Sequence, residues 1–188
     1  SGLGAAIRFP YLRGGKPYAA KFRTVDKSFS STKGVSRGVY NEDALDKADV
    51  VVITEGEIDC LSCLQAGYGG AISLPDGWTE KGNKLNSLED IEEKLRQASH
   101  VIVAGDNDKT GESLPRAVAN FLEGHDVRFT TWPDGCKDAN DVLVKCGEAG
   151  LSECLDAAKR IDPEGGFITS LSDLPPLSDR RVLKAGQE

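Results

Sequence analysis

A chain of 188 residues with 39% hydrophobic content can bury one substantial core and a small appendage. No apolar run approaches the roughly 18 residues of a membrane span, and no charged stretch leading into an apolar one marks a secretory leader, so neither a membrane span nor a secretory signal is expected. The net charge of −7 hides a segregation: residues 1–38 carry +7 and the rest −14, which predicts a polyanion-binding segment joined to an acidic body.

The basic segment holds Arg8, Arg13, Lys16, Lys21, Arg23, Lys27, Lys33 and Arg37 against Asp26 alone. It reads as a short β module, with extended runs at 7–12 and 18–23 flanking the turn Arg13-Gly14-Gly15-Lys16. Period two puts Lys21, Arg23 and Val25 on one face, and a third extended stretch is expected around Phe29. From about residue 42 strands and helices alternate. Strand 50–54 leads to a helix near 57–66, with an apolar-biased face of Ile58, Leu61, Leu64 and Gln65. Strand 71–74 ends in Pro75-Asp76-Gly77. Ser87 and Asp90 approximate an N-terminal helix box, and Leu88, Ile91 and Leu95 supply the helical period. Strand 101–105 runs into Asp106-Asn107-Asp108-Lys109-Thr110-Gly111, then a helix to Leu122 that tolerates Pro115 only in its first turns. Strand 127–131 precedes a helix opening at Lys137-Asp138-Ala139-Asn140-Asp141 and a further one near 151–160.

This alternation predicts an α/β fold, a mainly parallel sheet covered by helices, preceded by a small basic β-rich subdomain. The expected boundaries are 1–41 for the basic subdomain, 42–161 for the catalytic body and 162–188 for a Pro/Gly/Ser-rich linker. Ser1-Gly2 ahead of a structured segment suggests trimming from something longer. Five cysteines are an odd number, too sparse for a disulfide scaffold, and favour a reducing compartment. Cys60 and Cys63 form a C-x-x-C inside a predicted helix, with no second pair at finger spacing, and read as buried thiols.

Two acidic motifs stand where apolar strands stop. Val50–Thr54 runs into Glu55-Gly56-Glu57-Ile58-Asp59, and Val101–Gly105 into Asp106-Asn107-Asp108. Carboxylates placed there face the crevice at the carboxyl edge of the sheet, where open α/β folds bind ligands. Converging carboxylates repel unless a cation lies between them, and hard oxygen donors suit Mg²⁺ or Mn²⁺. Two-metal catalysis uses such a set around cations about 3.5–4 Å apart. Asp138, on a third strand–helix connection, can join Glu55, Asp106 and Asp108. Helix capping is the alternative for any one of these acids.

Thr54-Glu55-Gly56-Glu57-Ile58-Asp59 followed by Asp106-Asn107-Asp108 resembles the TOPRIM signature of primases, topoisomerases, small nucleases and recombination mediators. With Ser73-Leu74-Pro75-Asp76-Gly77, Cys136-Lys137-Asp138-Ala139-Asn140-Asp141 and the basic run Lys21-Phe22-Arg23 to Lys33-Gly34, the order resembles that of bifunctional phage primase–helicases over roughly residues 7–165. The resemblance implies the RNA-polymerase domain of such a primase, making short RNA primers from ribonucleoside triphosphates on a single-stranded DNA template. It implies that Glu55, Asp106 and Asp108 hold catalytic Mg²⁺ (or Mn²⁺) with Asp138 supporting, and that Asp59 and Asn140 act behind them. It further implies that Lys21, Arg23, Lys27, Lys33 and Lys137 meet template or triphosphate. In that family a zinc-binding module precedes this region and a helicase follows it, so both are expected in the full-length protein. A cytoplasmic setting is expected, the bacterial host's if the gene is phage-borne, with no membrane partner. Trp78 and Tyr68 could stack on bases or simply pack.

Three other readings share these residues. A TOPRIM nuclease uses the same acids. Asp106-Asn107-Asp108-Lys109-Thr110 also resembles the haloacid-dehalogenase phosphatase motif, but Lys109 replaces its usual Gly and Glu55 goes unexplained. A TOPRIM module that binds DNA without chemistry has no need of four converging carboxylates.

Overall fold

The computed structural model describes residues 5–78, 85–107 and 113–161. A three-stranded antiparallel sheet comes first: β1 (Ala6–Arg13), β2 (Lys16–Thr24) and β3 (Phe29–Ser31), in that spatial order. Gly14 and Gly15 both take positive φ, 57° and 73°, as a two-residue hairpin turn with the twist of its strands requires. The hairpin tip is anchored. The N–H groups of Gly14 and Gly15 donate to the Asp43 carboxylate at 2.7 and 2.8 Å, which holds that carboxyl below its ordinary range. Arg13 pairs with Glu42 at 3.0 Å. Both acids belong to a 3₁₀ helix, Glu42–Lys47, which has no signal in the apolar periodicity.

The second sheet has the order β5-β4-β6-β7-β8. Its strands are β4 (Val50–Thr54), β5 (Ala71–Ser73), β6 (His100–Ala104), β7 (Val127–Phe129) and β8 (Lys159–Arg160). The first four are parallel and β8 runs antiparallel to β7. The helices are α1 (Glu57–Gln65), α2 (Asn86–Glu89), α3 (Glu92–Gln97), α4 (Leu114–Phe121) and α5 (Ala139–Asp156).

Strand residues alternate between two cores. Val51, Ile53, Val101 and Val103 face a cluster with Leu88, Ile91, Leu95, Leu114, Val118 and Leu122. Val52, Ile102 and Ala104 face another with Cys60, Cys63, Ala139, Val142, Leu151 and Leu155. Period two with both faces buried yields the near-continuous apolar strands of a three-layer fold. The α/β architecture, with a β-rich sheet before it, is as the sequence predicts.

Five local expectations are corrected. α1 does not bury Ile58 and Leu61; Leu61 is 40% exposed, and the inward positions are Cys60 and Cys63. Small thiols let α1 lie close against the sheet and α5, and burial pushes the Cys63 thiol up to about 12. The predicted 87–95 helix is two short ones broken around Asp90-Ile91, and no side chain caps the first. Leu88, Ile91 and Leu95 still point inward, because packing rather than helix continuity sets their direction. Strand 127–131 is shorter, ending at Phe129. The last helix stops at Asp156, so that Lys159–Arg160 can pair along β7. The split expected between residues 145 and 151 is a kink at Gly147, where φ is 74°.

Candidate active site

β4 is followed by α1 on one face of the sheet and β6 by α4 on the other. The connections after these adjacent strands therefore diverge, and a crevice opens at their carboxyl ends. Thr54 lies beside Ala104 in register, so Glu55 and Asp106 emerge into the same crevice.

Glu55 joins the surrounding loops. One carboxylate oxygen accepts the Asp106 N–H at 3.0 Å and the other the Trp78 N–H at 3.2 Å. The Asn107 N–H donates to the Lys137 carbonyl at 2.6 Å, tying the exit of β6 to the loop that carries Asp138. Asp138 is the N-cap of α5: its Oδ1 accepts the Asp141 N–H at 2.7 Å, and its Oδ2 pairs with Lys137 at 3.0 Å. Capping thus coexists with a place on the crevice wall.

Asp59 sits behind them. Its carboxylate accepts the Asn140 N–H at 3.1 Å, linking α1 to the start of α5, and Asn140 in turn accepts the Ser62 hydroxyl at 3.4 Å. A Cβ at position 56 would approach the Asp59 carboxylate to 2.9 Å, so a side chain there would have to displace that carboxylate. Burial, then the neighbouring charge of Asp138 and that of Asp106, push the Asp59 carboxyl up to about 7.

The basic hairpin supplies the facing wall of a cleft of about 560 Å³. Arg23, Lys27 and Phe29 line it opposite Glu55, Asp59, Asp106, Lys137, Asp138 and Asn140. Lys21 lines it too, but its ammonium meets Glu57 at 2.8 Å and the Pro75 carbonyl at 3.0 Å. Tyr11 donates to the same Glu57 at 2.7 Å. The Lys21 and Glu57 side chains are 11% and 4% exposed, so this ion pair is a buried pin between hairpin and parallel sheet. Lys33 is exposed on the loop after β3 and does not line the cleft. Asp108 lies outside the described residues.

Sequence reasoning gave no role to Glu57. The signal was the second acid of Glu55-Gly56-Glu57 set against an excess of cations in the hairpin. Asp76, which pairs with Arg37 at 2.7 Å and lines the cleft, was likewise missed. Tyr68 and Trp78 are outside the cleft lining and pack against the two cores, with the Trp78 indole N–H on the Ser113 hydroxyl at 2.7 Å.

The donors offered to a metal, Glu55, Asp106 and Asp138, are all oxygens, which fits Mg²⁺ or Mn²⁺ and not a thiolate- or imidazole-seeking ion. Among the described residues no three acidic, histidine or cysteine side chains gather closely enough to hold a metal ion.

With this geometry in hand, residues 52–143 match the Toprim-like family model. The chain contains a Toprim-like domain. That Toprim-like segment runs from β4 into α5 and includes every carboxylate of the crevice wall. The chain is 30% identical over 165 residues to the Twinkle homolog protein, chloroplastic/mitochondrial, of Arabidopsis thaliana, covering 79% of this chain and 23% of that protein. It is 27% identical over 165 residues to the Primase homolog protein of the same plant, covering 79% and 49%. In fold it is similar to the primase fragment of the bacteriophage T7 primase-helicase, with a TM-score of 0.65, 24% identity and coverage of 79% and 61%. The chain thus spans about a quarter to half the length of these curated relatives. Its Toprim-like domain and preceding hairpin share the fold of a primase catalytic core. Among the described residues no helix is long and apolar enough to cross a membrane.

Proposed function

We propose that this chain is the catalytic domain of a DNA primase, joining ribonucleotides into short primers on single-stranded DNA. The observation that carries this reading is one cleft with Glu55, Asp106 and Asp138 on one wall and Arg23 and Lys27 on the other. A purely acidic wall would repel phosphates; a purely basic one would bind them without holding a divalent cation.

In the proposed reaction a nucleotide 3′-hydroxyl oxygen bonds to the α-phosphorus of an incoming ribonucleoside triphosphate. The bond from that phosphorus to the β-phosphate bridging oxygen breaks, pyrophosphate leaves, and the hydroxyl proton passes to a base. Glu55, Asp106 and Asp138, with Asp108, would hold Mg²⁺ or Mn²⁺, which supplies hydroxyl activation and neutralises charge on the leaving pyrophosphate. Arg23 and Lys27 orient template or triphosphate from the facing wall. Lys137 offsets phosphate charge while remaining paired with Asp138. Asp59 fixes the start of α5, and so the direction in which Asp138 is presented. The likeness to proteins named as primases supports this chemistry over hydrolysis. Zinc-binding and helicase modules in the same polypeptide are part of the proposal.

The test is Mg²⁺- or Mn²⁺-dependent incorporation of labelled ribonucleotide on single-stranded DNA. Glu55→Ala and Asp106→Ala should each lower it by on the order of 10²-fold or more. Unchanged incorporation in both would sink the site assignment. A parallel incubation with DNA and metal but no nucleotide reads out the nuclease alternative. Strand cleavage there, with no incorporation in the first assay, would replace synthesis by hydrolysis.

A further inference from the structure

Phe29 is the one aromatic residue in the exposed class among the described residues, at 57%. Exposure of one apolar residue is ordinary. Its setting is not. Phe29 lies on β3 directly across from Arg23 on β2, and it lines the cleft shared with Glu55, Asp106 and Asp138. The Lys21 ammonium is 5.1 Å and the Arg23 guanidinium 5.7 Å from the centre of its ring. Two cations thus hold an open aromatic ring beside the carboxylates, on the wall that would meet nucleotides.

We propose that Phe29 is a stacking platform for a nucleobase in this cleft. The inference rests on the reading that the cleft takes nucleic acid and nucleotides. Every base has a π-face, so one ring gives affinity without sequence preference, and loss of such a stack lowers affinity about tenfold or more. Arg23, opposite Phe29 on the neighbouring strand, and Lys27, two residues before it, stand close enough in the fold to meet the phosphates flanking a stacked base. A base stacked there stands between the cationic and acidic walls. The base belongs either to the template strand or to the nucleotide, and both present the same chemistry.

The experiment uses the whole chain and compares Phe29→Leu, which keeps apolar bulk without a π-face, with Phe29→Trp. Binding of a labelled single-stranded oligonucleotide is measured by fluorescence anisotropy beside a matched oligomer with abasic sites. A second arm compares ATP with inorganic tripolyphosphate as ligands. If a template base stacks, Phe29→Leu weakens the natural oligomer about tenfold and leaves the abasic one unchanged, while Phe29→Trp keeps wild-type affinity. If the nucleotide base stacks, the same pattern separates ATP from tripolyphosphate. Equal affinity of Phe29→Leu and wild type for both base-containing ligands would overturn the proposal. So would equal weakening with and without the base, which marks displaced cations. A wild-type chain that binds neither oligonucleotide nor ATP would instead defeat the functional reading beneath it, and this inference with it. Thermal melts of each variant separate lost binding from lost folding.

Discussion

Glu57 and Lys21 show how much a single pair can decide. Their charges are buried together, and the Tyr11 hydroxyl completes the carboxylate's hydrogen bonding. Removing one charge leaves the other uncompensated, which typically costs about 3–5 kcal/mol. Glu57→Gln is expected to destabilise the chain by roughly 3 kcal/mol in urea unfolding, and adding Lys21→Met should restore part of that. Asp59 behaves differently. Its carboxyl is raised from 3.8 to about 7 in the fold, so between those values the native state holds a proton that the unfolded chain has released. Stability of the metal-free protein therefore falls as pH rises from about 4 to 7 and levels off above. Asp59→Asn keeps an oxygen for the Asn140 N–H and removes the charge. Its melting temperature in a chelating buffer should exceed wild type by several degrees at pH 8 and match it at pH 4. A deficit at pH 8 would contradict the assignment.

At the scale of elements, Asp138 combines two tasks that substitution can separate. Asn caps a helix about as well as Asp, and Ala does not. Asp138→Asn should therefore hold its melting temperature while Asp138→Ala loses about 1 kcal/mol, and both should lose ribonucleotide incorporation. Incorporation retained in Asp138→Asn would leave the cap as its whole role. The elements also show what was legible beforehand. Buried parallel strands announce themselves as β-branched runs, so β4 and β6, and with them Glu55 and Asp106, could be placed from the chain alone. α1 could not be oriented, because Ile58 and Leu61 outweigh two cysteines on any hydrophobic count while close helix–sheet packing favours the smaller thiols. The Lys21–Glu57 pin was hidden because its partners are far apart in sequence and a buried cation reads as a surface one. β8 carries two basic residues and no apolar alternation, so its pairing with β7 left no periodic trace.

For the whole molecule, segregated charge becomes a cleft with walls of opposite sign, which governs its response to salt. If Arg23, Lys27 and Lys137 each neutralise one phosphate of a single strand, log affinity should fall against log salt with a slope near about −2. Lys27→Ala should flatten that slope, and Lys33→Ala, outside the cleft, should leave it nearly unchanged; anisotropy titrations in rising KCl would read both.

The antiparallel course of β8 has a consequence for attachment. Ile161 donates its N–H at 2.9 Å to the carbonyl of Val127, the first residue of β7. The chain has by then travelled back to the amino edge of the parallel strands, roughly 17 Å from the carboxylates for a five-residue strand. Ile161 therefore lies at the amino edge of the sheet, opposite the carboxyl edge where the cleft opens. Under the proposed function, a module joined at this edge would couple to the cleft through shared possession of the strand rather than through a short covalent path to its carboxylates.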